Sequence, residues 1–258
     1  MKLYLRYLSI HFKGMLQYKL SFLLSSAGQL LHAFSSLLGL YFLMNRFHTV
    51  AGFSLHEVLL CYAVVMSAFA LAEMFARGFD MFAGMIGNGE FDRILVRPRG
   101  AIFQVLAARL ELTRWTKLLQ ALLVLAYAMA VGGVRWDGLR ILGLLFMILG
   151  GTAMFSGLFL VYASFCFFTL EGLEFMNIFT DGGREYGRYP VSIYGKRLLR
   201  FFTFVVPMAC FQYYPFLYLI GRSSNPACLL APAACFVFLI PCYAFWRFGL
   251  RRYRSTGS

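Results

Sequence analysis

Long apolar runs separated by clusters of basic residues dominate this sequence. The apolar runs extend from residue 20 to residue 247, and a helix of about 20 such residues crosses the hydrocarbon core of a bilayer. Only 14% of the residues are charged, whereas soluble domains have about a quarter, so much of the surface must face lipid. The sequence therefore predicts an all-α, polytopic integral membrane protein, with residues 1–258 forming one transmembrane domain.

Six runs are long and apolar enough to be candidate transmembrane helices. They are residues 20–44, 58–75, 118–134, the run from 139 onward, 201–220 and 227–246. Residues 1–19 precede them and are amphipathic, with Leu8 and Phe12 on one helical face and Arg6 and Lys13 on the other. This pattern is typical of a helix that lies in the headgroup region of a membrane.

The basic residues indicate how these spans are oriented. With six spans and an inner N-terminus, the inner segments hold 20 of the 24 lysines and arginines, and the outer loops hold only Arg46, Arg135, Arg140 and Arg222. Cytoplasmic loops of membrane proteins carry such an excess of basic residues. We therefore expect both termini to be cytoplasmic.

The apolar run from residue 139 to about residue 180 leaves two topologies open. One helix of this length would be about 60 Å long, against a hydrocarbon core of about 30 Å. A run folded back near residues 150–157 would form two spans and would place Glu171 and Glu174 at membrane depth, where ionisable residues are usually functional. It would also move residues 184–222, which contain three prolines, to the outer side as a broken or re-entrant segment. The basic residues would then divide 15 inside to 9 outside, so charge favours the first topology and length favours the second.

Several function classes lack their sequence motifs. Gly195-Lys196 is followed by Arg197 instead of the Ser or Thr of a P-loop, and the six cysteines include no CxxC pair. We therefore expect no catalytic, cofactor-binding or metal-binding residues in this chain. The net charge of +13 comes from basic clusters between apolar runs, so we also expect no binding to nucleic acid.

Residues 76–117 form the most charged stretch and carry the strongest positive signal. An apolar helical stripe ends at Gly87-Asn88-Gly89, and residues 90–100 then mix acidic, basic and apolar side chains. Charges beside exposed apolar residues are typical of a surface that docks a soluble partner. The alternative is a plain cytoplasmic loop whose arginines follow the positive-inside rule.

Three glutamates are candidates for a pathway or for a structural polar contact inside the bundle. Glu73 lies near the inner end of the second predicted span, and Glu171 and Glu174 lie in the ambiguous run. Ionisable residues inside a membrane domain often mark a transport pathway.

The order of these parts resembles the permease subunits of type-2 ABC transporters, the bacterial exporter class described as daunorubicin-resistance-like. The similarity includes an amphipathic N-terminal helix, two spans, the loop sequence GEFDRILVRP at residues 89–98, and four further spans. It also includes the proline-containing residues 188–190, 206–207 and 213–215.

The resemblance implies a half-transporter that exports an amphipathic drug, peptide or lipid-like substrate across the bacterial inner membrane. ATP and Mg²⁺ would bind to a separate ATP-binding cassette subunit, and a second permease chain, identical or related, would complete the assembly. The loop of residues 76–117 would contain the coupling helix that contacts the ATPase. The residues carried over to this contact are Asp80, Glu90, Asp92, Arg93, Arg97 and Arg99. The resemblance also implies an outer re-entrant hairpin before the last span, which supports the second topology.

Two other function classes are considered beside this one. A secondary carrier driven by an ion gradient would show internal repeats and ionisable residues at mid-membrane depth. A membrane-embedded enzyme would need a nucleophile, a metal or an acid–base cluster. The sequence shows no visible repeat and assembles no such cluster by spacing.

Overall fold

The computed structural model describes residues 2–47, 49–169 and 173–255. Thirteen α-helices account for most of these residues: α1 Lys2–Gln17, α2 Lys19–Phe47, α3 Leu55–Asp80, α4 Phe82–Gly87, α5 Glu90–Leu95, α6 Ala101–Ala108, α7 Trp115–Val131, α8 Gly138–Phe165, α9 Asp181–Tyr186, α10 Lys196–Phe204, α11 Met208–Gln212, α12 Tyr214–Leu219 and α13 Ala233–Arg252. Short 3-10 helices lie at Leu112–Arg114, Leu173–Ile178, Val191–Tyr194 and Pro226–Leu230. The described residues contain no β-strand beyond one isolated bridge between Val50 and Phe53, which confirms the predicted all-α class.

Four described helices are long and apolar enough to cross a membrane. They are α2, α3 continued through α4, α8, and the last helix with its preceding turn, Pro226–Arg252. A fifth candidate is the pair formed by α10 with α11–α12, whose two parts are bent by 96°. The predicted span 118–134 corresponds to α7, whose 17 residues are fewer than the about 20 that a full span requires. The six predicted runs are therefore four long helices, one bent pair and one shorter apolar helix.

Helix α3 lies at the centre of the bundle. It packs against α7, α8 and α6, and most of its side chains are buried. A reciprocal cap fixes its start, because the Ser54 side chain accepts from the Glu57 backbone and the Glu57 carboxylate accepts from the Ser54 backbone. Helix α2 packs on α7 at the edge of the bundle.

Neither helix path expected for residues 139–180 is found, neither one long helix nor a fold-back near residues 150–157. Helix α8 runs without a break through residues 150–157 and ends at Phe165, well before residue 180. Gly150 and Gly151 do not fold the chain back, because they let neighbouring elements approach closely: a Cβ at Gly150 would overlap Pro232, and one at Gly151 would overlap Phe211. These glycines are contacts between helices, which is why the apolar helix continues through them.

The two ends of the bundle can be identified from contacts. At one end, here called the α5 end, Tyr253 after α13 contacts Asp92 in α5. At the opposite end, here called the far end, Arg222 pairs with Glu57 at the start of α3. The chain following α8 returns along α3 from the α5 end, and α12 reaches the far end, where Phe216 contacts Phe53.

Residues 181–219 form a broken path beside α3. Gln212 is fully buried and holds this path together: its amide donates to the carbonyls of Gly187 and Tyr189, and its oxygen accepts from the backbone of Val191. The same amide nitrogen lies 2.9 Å from the sulfur of Cys61 in α3. One buried side chain therefore supplies hydrogen bonds that a continuous helix would supply from its own backbone.

Candidate functional site

A buried carboxylate lies near the α5 end of α3. Glu73 is 3% exposed, and its Oε2 accepts from Lys117 Nζ of α7 at 2.9 Å. Its Oε1 lies 3.5 Å from Arg77 and 3.6 Å from Arg114. Burying a carboxylate costs several kcal/mol unless it is paired and hydrogen-bonded, and three cations satisfy this one. Glu73 therefore lies in the bundle interior, and it joins α3 to α7.

The ion pairs around Glu73 continue towards the α5 end. Arg77 also contacts Asp80 at 2.7 Å, and Arg114 also contacts Glu111 at 2.9 Å. Asp80, which the sequence analysis assigned to partner binding, is thus engaged at the last turn of α3. Its carboxylate orients Arg77 towards Glu73.

A polar cavity of about 450 Å³ opens beside this network, between α2, α3, α7 and α9. Charged and polar side chains line most of it: Ser25, Gln29, His32, Glu73, Arg77, Arg114, Lys117, Asp181 and Arg184. Arg184 pairs with Asp181 and Glu185, and its guanidinium lies over the ring of Phe69. Each lining cation contacts at least one carboxylate, but four cations and two carboxylates line the cavity, so it is polar with an excess of basic groups.

The helix α5 begins where the sequence predicted a break. Gly89 has a φ of 65°, a left-handed conformation that glycine adopts without steric cost. The chain therefore turns sharply between α4 and α5. Phe91 and Ile94 point inward from α5 and are buried, so this six-residue helix has one face fixed to the bundle and one face free.

An aromatic cluster anchors the inner face of α5. The ring of Phe91 lies 4.8 Å from that of Phe82 and 5.6 Å from that of Phe167. Trp246 of α13 contacts all three rings and is 1% exposed. Edge-to-face aromatic pairs of this kind add about 0.5–1.5 kcal/mol each beyond their buried area. Helix α5 is thereby packed against both α4 and α13.

Asp92 binds two residues that follow α13. Tyr253 donates its hydroxyl to Asp92 Oδ1 at 3.0 Å, and Ser255 donates to Oδ2 at 2.7 Å. Burial, followed by the hydrogen bond and the negative charge of Asp92, raises the pKa of Tyr253 to about 12. These contacts tie the residues after α13 to α5.

The exposed face of α5 and the following loop form a shallow groove of about 220 Å³. Its lining includes Glu90, Arg93 and Arg97 with the apolar Met85 and Ile94. Arg109 lies 3.6 Å from Glu90 at the side of the groove. Arg99 is exposed, and Val96 at the tip of the loop is 84% exposed.

The loop after α5 is held in shape by a buried glutamine, Gln104, that is not among the residues predicted from the sequence. Gln104 of α6 donates to the carbonyls of Ile94 and Arg99 at 3.1 and 2.8 Å. The sequence signal for this role was that Gln104 is the one polar residue in the otherwise apolar α6. The structure thus brings Glu90, Arg93 and Arg97 together on one surface, whereas Asp80 pairs with Arg77 and Asp92 with Tyr253 and Ser255.

The two other glutamates of the sequence analysis have different outcomes. Glu174 is exposed in the 3-10 helix Leu173–Ile178, so it is not a buried residue of the chain. Glu171 lies outside the described residues. The groups of His, Cys, Asp and Glu in the described ranges include none arranged to hold a metal ion.

Comparison with family models gives one finding about this architecture. The family model described as ABC-2 family transporter protein matches residues 30–257, which include all the helices from α3 to α13. Comparisons with curated proteins and with solved structures find no match.

Proposed function

The chain belongs to the ABC-2 family of transporter membrane proteins, and from this premise we propose that it is the permease half of an ATP-driven exporter. In this proposal the ATP-binding subunit docks on the exposed face of α5 and on residues 95–99. ATP and Mg²⁺ bind to that subunit and not to this chain. The proposal places the α5 end and both termini in the cytoplasm of a bacterial cell and the far end outside the inner membrane.

The single observation that carries this proposal is the two-sided construction of α5. One side, with Glu90, Arg93 and Arg97, lines an open groove, and the other side is fixed to the bundle by the buried Phe91. A partner that contacts the open side would move a helix that is already packed into the bundle. A plain surface loop would not need the buried aromatic contacts of Phe91.

The proposed movement has a physical route through α5. When the ATPase subunits close on ATP, α5 carries Phe91 with it, and Phe91 contacts Phe82 after α3 and Trp246 in α13. The helices α3 and α13 would then shift together at the cytoplasmic end. The permease contributes only contacts that differ between its two states, so the energy comes from ATP in the partner.

The groove predicts the chemistry of the partner surface. Arg93, Arg97 and Arg99 are exposed or line the groove, whereas Asp92 is occupied by Tyr253 and Ser255. The docking surface is therefore basic, with exposed Val96 as an apolar contact. An acidic surface with an apolar pocket on the ATPase would match it, since complementary charges set orientation and association rate.

The proposed substrate is amphipathic. The long spans carry few charges, so the apolar part of such a substrate would be compatible with their surfaces.

The exposed face of α2 is the proposed contact with a second permease chain. Only 17% of the most apolar stretch of α2 is buried within one chain, so a second chain could cover the rest.

The test is co-purification of the tagged chain in mild detergent, followed by mass spectrometry and an ATPase assay. We expect a stoichiometric ATP-binding subunit with the wild type and its loss in the double variant Arg93→Glu/Arg97→Glu. Arg46→Glu/Arg135→Glu is the matched control, because both residues are exposed at the far end. A chain that purifies alone and transports solute along an ion gradient would contradict the proposal and support the secondary carrier.

A further inference from the structure

Three basic side chains on α10 are exposed and unpaired. Lys196, Arg197 and Arg200 are exposed to solvent or lipid, and no carboxylate in the described ranges lies within ion-pair distance of any of them. This differs from the basic residues around the polar cavity, where Arg77, Lys117 and their neighbours are paired. Helix α10 is therefore a concentrated positive charge without a counter-ion among the described residues.

Contacts place α10 between the far end and the middle of the bundle. Val191, five residues before α10, is held through Gln212 beside Cys61, which lies about 9 Å along α3 from its start at Leu55. Towards its C-terminus, Phe202 contacts Tyr186. Tyr186 lies two residues after Arg184, which covers Phe69 about 21 Å along α3. Tyr194, two residues before α10, contacts Tyr186 as well, so α10 as a whole lies in the half of the bundle nearer the far end, the proposed outer side.

A cluster of cations on the outer side is unusual for a membrane protein, since lysine and arginine favour cytoplasmic segments. Helix α10 also presents apolar groups beside its charges. Arg197, Arg200 and Phe204 follow each other at intervals of three and four residues, which places them on one face. Phe204 is 84% exposed, so this face combines two guanidinium groups with an aromatic ring.

We propose that this face of α10 binds a phosphate-bearing anion, with an amphiphile's headgroup as the occupant that fits best. Arginine recognises phosphate through paired N–H donors, and basic amphipathic helices associate with anionic headgroups. Phe204 provides the contact for the apolar part of the amphiphile. The site rests on the proposed function only for its outer location, and ATPase docking at the other end is not required for binding.

The test measures the thermal unfolding of the purified full chain in an uncharged detergent. Short-chain phosphatidylglycerol is compared with phosphatidylcholine and with inorganic phosphate at matched concentrations. We expect phosphatidylglycerol to raise the unfolding midpoint by about 3 °C or more at concentrations well above its Kd, because a ligand that binds the folded state stabilises it. Phosphatidylcholine, which has no net charge, should give a smaller shift.

Matched variants identify the site. The triple variant Lys196→Gln/Arg197→Gln/Arg200→Gln should lose the shift, and the control triple Arg247→Gln/Arg251→Gln/Arg252→Gln on α13 should retain it with the same change in charge. Phe204→Ser should weaken the effect of the lipid and leave any effect of inorganic phosphate unchanged. A shift from phosphatidylglycerol alone identifies an amphiphile's headgroup, and an equal shift from phosphate identifies a soluble anion.

Two results would overturn the site. One is an equal shift in the wild type and in the α10 triple variant, and the other is an equal shift from phosphatidylglycerol and phosphatidylcholine. Native mass spectrometry of the same samples counts bound lipid directly, so a change in stability of the variant itself does not obscure the result. Absence of any phosphatidylglycerol shift in the wild type, with intact binding of an ATP-binding subunit, would reject this site and leave the proposed function standing.

Discussion

Helices α2 and α3 are consecutive apolar spans with opposite surroundings. In the most apolar 18-residue stretch of each helix, 17% is buried within the chain in α2 and 78% in α3 with its continuation α4. Helix α2 touches the bundle along a narrow stripe of Ser26, Ala33, Leu40 and Met44, whereas α3 is surrounded by α6, α7 and α8. Hydropathy thus identifies both as spans, and only the packing shows that α3 is a core helix and α2 a peripheral one.

This difference assigns different tasks to the two helices. Any movement of α4 and α5 reaches α3 first, because α4 follows α3 after the single residue Met81, and α3 contacts most of the bundle. Helix α2 leaves a broad apolar face that lipid or a second chain must cover. Perturbing α3 should therefore damage folding, and perturbing α2 should affect assembly.

The largest expected effect compares two glycines. Gly151 of α8 packs so closely on α3 that a Cβ would lie 2.7 Å from that of Ala68, whereas nothing lies within 4 Å of a Cβ at Gly39 in α2. We expect Gly151→Leu to lower the free energy of unfolding by more than about 3 kcal/mol, since overpacking a core forces backbone shifts. Gly39→Leu should change it by less than about 1 kcal/mol. Thermal unfolding in detergent measures both.

The oligomeric state of Gly39→Leu sharpens the comparison. If the exposed face of α2 contacts a second chain, this variant should remain folded and lose the dimer in light-scattering measurements on the detergent complex. Equal destabilisation of the chain by the leucines at 39 and 151 would show that α2 is not peripheral.

Polar residues of the two helices provide the second comparison. Glu73→Gln in α3 leaves Lys117 buried without its carboxylate, and breaking a buried pair costs about 3 kcal/mol. Gln29 in α2 has a side-chain oxygen without a hydrogen-bond partner in the described structure. Gln29→Leu should therefore be neutral or slightly stabilising, within about 1 kcal/mol. Urea or thermal unfolding checks the order, and a larger loss for Gln29→Leu would contradict it.

Local sequence signals predicted the parts of the fold whose causes are local. The apolar runs located the long helices, and Gly87-Asn88-Gly89 correctly marked the break before α5, where Gly89 adopts a positive φ. The end of α8 at Phe165 was not predictable in this way, because residues 158–168 contain neither proline nor glycine. The chain turns there because Phe167 enters the aromatic cluster with Phe91 and Trp246, which is a tertiary cause.

The candidate site also has a part that was predictable from local sequence and a part that depends on long-range packing. The sequence predicted that Glu73 faces the interior, but its partner Lys117 is 44 residues away, and no local pattern links the two. Asp92 was assigned to the partner surface from the family resemblance, and its hydrogen bond with Tyr253, 161 residues later, has no signal in the loop sequence. Contacts over such separations depend on the packing of α13 against α8 and the α5 end, which the sequence pattern does not contain.

The smallest expected effect concerns the contact between Tyr253, which follows α13, and Asp92 of α5. This contact does not involve α3. The pKa of Tyr253 is raised from 10.0 to about 12 by burial and by its hydrogen bond to Asp92. The neutral phenol is therefore favoured in the folded state, and its contribution to stability is complete below pH 10 and is lost as the pH rises through 12. Relative to Tyr253→Phe, the wild type should lose stability between about pH 10 and pH 12. Parallel pH profiles over this range would contradict the contact.

The central claim is that an ATP-binding subunit sits on the free face of α5, and site-specific photo-crosslinking tests it most directly. A photoreactive amino acid at Val96, which is 84% exposed at the tip of the loop, should form an adduct with the ATP-binding subunit in membranes. The same probe at Leu142, which is 65% exposed near the far end of α8, should not. An adduct from position 142 and none from position 96 would contradict the account.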